Sequence, residues 1–327
     1  MLASNLFNGY IGSNLCYHLE KEGIFELFGS NSSFDKSILK EKNFDNRKIK
    51  IIESLISFST KFGFFVDSDE GKISLTPLGM DMRKNVGFFT WSIGGYGNFM
   101  RNFTDLKDEK NNSLYSLIDG ANVALGSRQA NREYMWNTII KELKRLNISK
   151  IVDLGCGAAG ALIDICKIFN KVTGLGIDIS HKAIEAAEIN IRNNSMDDRI
   201  CVVNQNVMEA TDDASLIATF ETVDTVISFM MLHDLFSIKD PVDVLRTLQK
   251  TFPKAKRFLL ADTFMSDENT ITKETPIFTY GFEFVHHFMN IRIYKKEEYI
   301  DFFSKAGFEI EKIQYLNVPN TYLFTLK

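Results

Sequence analysis

The chain is poor in cysteine, histidine and tryptophan, and carries no excess of positive charge. Its four cysteines, Cys16, Cys156, Cys166 and Cys201, are scattered, with no C-x-x-C pair among 327 residues. That excludes a dense disulfide framework and points to a reducing, cytoplasmic setting. The formal net charge of −4 gives no reason to expect nucleic acid or an anionic membrane as a partner. No apolar run approaches the ~18 residues that a membrane helix needs. The first residues, Met1-Leu2-Ala3-Ser4-Asn5, lack a basic stretch followed by an apolar one, so no secretory signal is expected. There is neither an internal repeat nor a low-complexity tract. Against two tryptophans stand 28 phenylalanines, which favour deep apolar cores and an apolar pocket. At ~100–200 residues per domain, the length suggests two domains.

Three stretches follow one another. Residues 1–85 alternate helical patterns with polar breaks. Phe34 to Glu41 reads as a short helix opened by Ser32 or Ser33. Asp45 to Phe62 reads as a longer one, with Ile49, Ile52, Leu55, Ile56 and Phe62 on one stripe. Gly63 to Val66 and Lys72 to Thr76 read as two strands about an acidic turn, and Pro77 opens another helix. Helix, helix, hairpin is the outline of a winged helix, a frequent DNA binder. The turn Asp67-Ser68-Asp69-Glu70 would repel phosphates, so a dimerising accessory domain that covers a pocket is expected instead. Residues 86–148 read as a helical connector rich in Phe, Gly and Asn. Its aromatics Phe88, Phe89, Trp91, Tyr96 and Phe99 are candidates for a pocket wall. The run Trp91 to Gly97 fits either close approach to a ligand or a helix break.

From residue 149 to 327, strands and helices alternate. Strands are expected at Lys150 to Leu154, Gly174 to Ile177, Ile200 to Val203, Val223 to Phe229 and Phe258 to Ala261. Helices are expected at Gly160 to Phe169, His181 to Asn193, Pro241 to Thr251 and Glu297 to Ala306. Phe308 to Tyr315 and Thr321 to Leu326 close as a strand pair. This is the pattern of an α/β, mostly parallel, doubly wound sheet. Within it lies Val152-Asp153-Leu154-Gly155-Cys156-Gly157-Ala158-Ala159-Gly160. A buried strand ends there in a glycine turn and enters a helix, so that the backbone approaches a ligand and the helix N-terminus faces a carboxylate. A second strand ends in Asp178, placed either to accept from ribose hydroxyls or to cap the next helix. A dinucleotide fingerprint is the rival reading of the turn.

The order of these motifs resembles class I methyltransferases that use S-adenosylmethionine (SAM). The resemblance implies a Rossmann-like domain with a seven-stranded, mostly parallel sheet. It implies that Gly155 and Gly157 lie against the methionine part of SAM with Asp153 close by, and that Asp178 takes the ribose. It further implies that Asn206 and Val207 flank the adenine and that Ser228 belongs to the cofactor set. The family often has Asp where Asn206 stands, and the amide offers a similar hydrogen bond. The closing antiparallel strands favour SAM over NAD.

After the strand Val223 to Phe229 comes Met230-Met231-Leu232-His233-Asp234. It resembles the His-Asp of small-molecule O-methyltransferases with an N-terminal winged-helix dimerisation domain. That resemblance covers nearly the whole chain and implies a homodimer. A neutral imidazole suits proton removal from a hydroxyl. Two further features extend the set. His286 and His287 adjoin in an apolar stretch, as core or surface histidines or as ligands. Arg128 precedes the SAM motif, as a surface residue or as an anchor for a carboxylate. His233, a later His and Arg128 together resemble the enzymes that methylate the β-carbon of α-keto acids, such as phenylpyruvate and 2-ketoarginine methyltransferases. The resemblance implies an iron or zinc ion on His233 and one of the later pair, with His286 preferred, and Arg128 on the substrate carboxylate. Asp234 would orient His233 or a metal-bound water.

Three readings follow. The first is a metal-dependent C-methyltransferase of an α-keto acid in amino-acid or peptide natural-product biosynthesis. The second is a metal-free O-methyltransferase with His233 as general base. The third is a winged-helix regulator that senses SAM; the acidic turn and the His-Asp pair speak against it.

Overall fold

The computed structural model describes residues 2–42, 44–68, 71–105, 112–209, 214–266 and 278–327. The chain divides into two compact units, Met1–Glu133 and Tyr134–Lys327. Residues 86–133 of the expected connector cluster with the first unit, and residues 134–148 with the second.

In the first unit, the helix Ala3–Lys21 buries Leu15, Cys16 and Leu19. They meet Phe28, Ile52, Ile56, Phe64 and Ile73 in one apolar core. The helix Asn46–Lys61 starts where Asp45 accepts from the Lys48 N–H at 2.8 Å. The helix Pro77–Lys84 starts where the Thr76 hydroxyl accepts from the Gly79 N–H at 3.0 Å. Three strands, β1 (Ser33–Asp35), β2 (Phe65–Asp67) and β3 (Lys72–Leu75), form an antiparallel sheet in the order β1-β3-β2. The helix expected from Phe34 is therefore corrected: only Ile38–Glu41 is helical. Phe34 pairs with Ile73 across the ladder and sets its ring edge-on to Phe28 at 4.8 Å. This sheet pairing overrides the local preference of a short segment, which is weak. Of the acidic turn, Asp69 and Glu70 lie outside the described residues.

The glycine-rich run Trp91 to Gly97 opens on a π-helical turn, Thr90–Gly95. Two of its three glycines, Gly94 and Gly95, are accounted for by packing. A Cβ on Gly94 would stand 2.6 Å from the Tyr17 ring, and one on Gly95 2.6 Å from Val123. The crossing with the helix Gly120–Ala130 is closest at Gly87 and Gly126, where backbone meets backbone. Phe88, Trp91, Tyr96 and Phe99 are buried.

The second unit is built on seven strands: β4 (Lys150–Leu154), β5 (Thr173–Asp178), β6 (Ile200–Asn204), β7 (Thr225–Phe229), β8 (Arg257–Thr263), β9 (Ile310–Tyr315) and β10 (Thr321–Leu326). Their order is β6-β5-β4-β7-β8-β10-β9. The first five are parallel, while β10 runs antiparallel to both β8 and β9. Val152, Leu154, Leu175, Ile177, Val226 and Leu260 share one face, buried against helices that contribute Leu235, Leu248 and Phe303. On the other face Gly174 and Gly176 let Leu162 and Cys156 press close. The chain leaves β4 toward β5 and β6, then returns to β7 on the far side of β4. That reversal opens a crevice beyond the carboxyl ends of β4 and β7, where open α/β sheets bind ligands.

Candidate active site

One half of the crevice is the turn after β4. Gly155 and Gly157 take φ of 73° and 53°, the left-handed region that glycine enters without strain. The N–H groups of Gly155 and Cys156 donate to the Ile177 carbonyl at 2.8 and 3.1 Å. Asp178 ties the turn down: its Oδ2 accepts from the Gly157 N–H at 2.9 Å and its Oδ1 from the Ser180 N–H at 2.8 Å. The helix Gly160–Ile168 begins without a side-chain cap, so its first N–H groups remain for a ligand. Asp153 is buried, and burial with the nearby Asp178 carboxylate pushes its carboxyl up to about 8. A cationic ligand relieves that cost, and the ammonium and sulfonium of SAM are cations.

Asn206 sits in a tight local turn. Its Oδ1 accepts from the Met208 N–H and its amide donates to Glu209, both at 3.1 Å. Val207 is buried beside it. Ser228 aligns with Leu154 across the parallel ladder while Ile227 aligns with Asp153, so Ser228 and Asp153 leave the sheet on opposite faces. The Ser228 hydroxyl is fully buried and has no hydrogen-bond partner among the described residues.

The other half begins where β7 ends. Met230 takes φ 61°, a strained value for a residue with a long side chain. Met231 follows, with its side chain so near Gly155 that a Cβ there would stand 2.9 Å from the Met231 Cγ. The helix Leu232–Ile238 then carries His233 and Asp234. His233 is buried, and its Nδ1 lies 2.9 Å from Oδ1 of Asp262. Asp262 also accepts from the His233 N–H at 3.0 Å, the Thr263 N–H at 2.9 Å and the Tyr299 hydroxyl at 2.9 Å. Burial pulls the His233 imidazolium down, but Asp262 and Asp234 outweigh it and hold the group up at about 9. Burial and Asp262 push the Tyr299 phenol well above its ordinary range, so Tyr299 stays a donor.

His286 enters on the helix Phe278–Phe288. Its Nδ1 lies 2.7 Å from the Phe282 carbonyl oxygen, which fixes that nitrogen as the N–H. Burial and the facing His233 push its imidazolium down to about 3. The two imidazole rings stand edge to face, 4.7 Å apart, with Phe282 packed on both. With both Nδ1 atoms engaged, His286 offers the Nε2 lone pair of a neutral ring, and His233 offers its own once a cation displaces the proton that Asp262 and Asp234 favour. His233, Asp234 and His286 each place one ligand atom within 4.8 Å of the others. Asp234 Oδ2 lies 3.6 Å from His233 Nε2, on a side chain that keeps half its exposure. Two imidazoles and one carboxylate are a donor set that suits iron(II) or zinc, so the residues fit the metal implied by the sequence.

The structure therefore brings His233, Asp234 and His286 together and leaves His287 exposed on the same helix. Arg128 is half-buried in the first unit, on the helix Gly120–Ala130. Asp262 and Tyr299 were not singled out in the sequence. Asp262 had a signal, since it follows the expected strand Phe258 to Ala261 as Asp178 follows its own. Tyr299 had none, being one aromatic in an amphipathic helix.

Comparisons with known proteins bear on the fold and the cofactor domain. A family model described as a methyltransferase domain matches residues 147–307. The chain is similar to an indolepyruvate C-methyltransferase of Streptomyces griseus, 26% identical over 326 residues, 99% of this chain and 94% of that one. Among solved structures it is similar in fold to the mitomycin 7-O-methyltransferase MmcR, with a TM-score of 0.59, 13% identity and coverage of 99% and 96% of the two chains. It is likewise similar to PigF, solved with SAH (S-adenosylhomocysteine), with a TM-score of 0.65, 15% identity and coverage of 99% and 98%. Residues 147–307 are a methyltransferase domain, and the protein is a SAM-dependent methyltransferase.

Proposed function

We propose that this enzyme methylates the β-carbon of an α-keto acid, with a metal ion held by His233, His286 and Asp234. The observation that carries the reading is the pair of buried imidazoles, each with Nδ1 committed, clustered with the Asp234 carboxylate so that one ligand atom of each lies within 4.8 Å of the others. A general base alone has no need of the second histidine. The similarity to an indolepyruvate C-methyltransferase supports the same substrate class. A divalent iron or zinc ion held by His233, His286 and Asp234 would supply Lewis acidity, which would acidify the C–H beside a keto group.

The chain's own residues do the rest. Asp262 orients His233, and the Phe282 carbonyl orients His286. Asp153, Gly155, Gly157 and Asp178 seat SAM, with Asn206 and Val207 at the adenine and Ser228 offering its free hydroxyl. Arg128 is assigned to the substrate carboxylate. The β-carbon gives up a proton that ends in solvent, its electron pair forms the C–C bond as the C–S bond of SAM breaks, and SAH leaves. Positioning supplies much of the rate, because the sulfonium is already a strong electrophile. The enzyme acts in the cytoplasm on a small molecule, without nucleic acid or membrane. It works as a homodimer through the winged-helix domain of residues 1–85, where Leu2, Leu6, Phe7 and Tyr10 are exposed by 58–71%. Residues 86–148 serve the substrate.

Metal-free O-methylation is the second reading, favoured by the buried Asp262 carboxylate on His233, an arrangement that also suits a base. Labelled SAM offered with indolepyruvate, phenylpyruvate, 2-ketoarginine and simple phenols separates the two. The expected product carries the label on carbon, and the reaction stops in EDTA. A methyl on oxygen, formed undiminished in EDTA by untagged protein without metal, overturns the first reading.

A further inference from the structure

We propose that Tyr299 is a positioning residue for the metal centre, acting through Asp262 to fix the plane and reach of the His233 imidazole. This rests on the reading of His233 as a metal ligand. Asp262 and Tyr299 are both 1% exposed, so solvent plays no part in holding the carboxylate. Among the described residues the two Asp262 oxygens accept four hydrogen bonds: Oδ1 from His233 Nδ1 and the Thr263 N–H, Oδ2 from the His233 N–H and the Tyr299 hydroxyl. Three of those donors belong to the ligand residue itself or to the carboxylate's own strand neighbour. Among the described residues, Tyr299 alone brings an outside element, the helix Lys296–Ala306, to bear on the carboxylate.

The terminal torsion of an aspartate is soft, and without Tyr299 the Oδ2 oxygen of Asp262 keeps only the His233 N–H as a donor, which leaves the carboxylate freer to turn. If it turns, Oδ1 leaves the imidazole plane and His233 loses the partner that aims its Nε2. The Tyr299 ring is fixed in turn. Phe264 packs edge-on to it at 4.6 Å and Phe236 lies 5.1 Å away, so the hydroxyl reaches a set point. A tyrosine that needed only some acceptor for its hydroxyl would leave the metal indifferent to its loss.

Cobalt(II) titration of the metal-free, full-length enzyme tests this, because its visible bands report ligand geometry without turnover. Tyr299→Phe is expected to weaken Co2+ binding about tenfold or more, in the range seen for partners of ligating histidines, and to shift the visible bands. SAH affinity and melting temperature are expected to stay near wild type, which reports that the variant folds. Asp262→Asn is expected to weaken Co2+ binding as well. Adding Tyr299→Phe to it is then expected to cost little more, since both act on one element. A Tyr299→Phe enzyme with wild-type Co2+ affinity and spectrum, or a loss fully additive with that of Asp262→Asn, overturns the role of Tyr299 alone. A wild-type enzyme that takes up no Co2+ overturns the metal reading and this inference with it.

Discussion

At the scale of single residues, the two adjacent histidines part company. His286 is buried with its Nδ1 on a carbonyl, while His287 one position on is exposed. His286→Ala is expected to abolish metal uptake and spare SAM affinity, and His287→Ala to leave both intact. Metal content by mass spectrometry and SAH binding by calorimetry check the pair. Metal retained in His286→Ala would remove that residue from the ligand set. Asp153 gives a second test. Its carboxyl titrates at about 8 in the folded protein, against ~3.9 in an unfolded chain. Between those values the folded state holds a proton that the unfolded chain has released. Stability of the ligand-free enzyme is therefore expected to fall as pH rises from about 4 to 8, by up to about 1.4 kcal/mol per pH unit, then level off. Asp153→Asn is expected to flatten that slope. Urea unfolding at several pH values measures both, and equal slopes would show that Asp153 is already ionised.

At the scale of elements, strong periodicity and strong caps were readable. The helices His181–Asn193 and Pro241–Thr251 begin and end where the sequence placed them, one opened by the Ser180 hydroxyl and the other by Asp240 with Pro241 at its first position. The segment from Phe34 misled because so short a stretch takes whichever partner it meets, and β3 offered one. The helix Phe278–Phe288, apolar around much of its surface, gave no clean period to read. Glycine use was legible as a signal but not in its cause. Gly126 stands where a Cβ would lie 2.5 Å from the Trp91 nitrogen and 2.7 Å from the Gly87 oxygen, both backbone atoms with little room to yield. Gly126→Ala is expected to destabilise the first unit by about 1–3 kcal/mol despite alanine's better helix propensity. Thermal or denaturant unfolding checks this, and a stabilised variant would mean that the helix crossing gives way freely.

At the scale of the whole molecule, assembly and partners follow from surface and charge. If the exposed Leu6 and Phe7 lie in a dimer interface, Leu6→Asp with Phe7→Asp is expected to yield monomers in sedimentation equilibrium. A wild-type enzyme that sediments as a monomer would end that reading. With net charge −4, the protein is expected not to bind random duplex DNA even at low salt. What the sequence determined by itself is the class of fold and the cofactor. The turn at Gly155 and Gly157 is written in consecutive residues, because one strand, one turn and one helix make it, and Asp178 ends the strand that follows. The alternation of strands and helices then fixes the crevice beside it. The resemblance already implied His286 as the partner of His233; what tertiary structure alone decided is the packing that delivers it and the support from Asp262 and Tyr299. Asp234 is its neighbour in the chain, but Asp262, His286 and Tyr299 arrive from 29, 53 and 66 positions away, on three separate elements. Hydrogen bonds and ring contacts across such distances depend on how a strand and two helices pack, and residue order records no part of that packing.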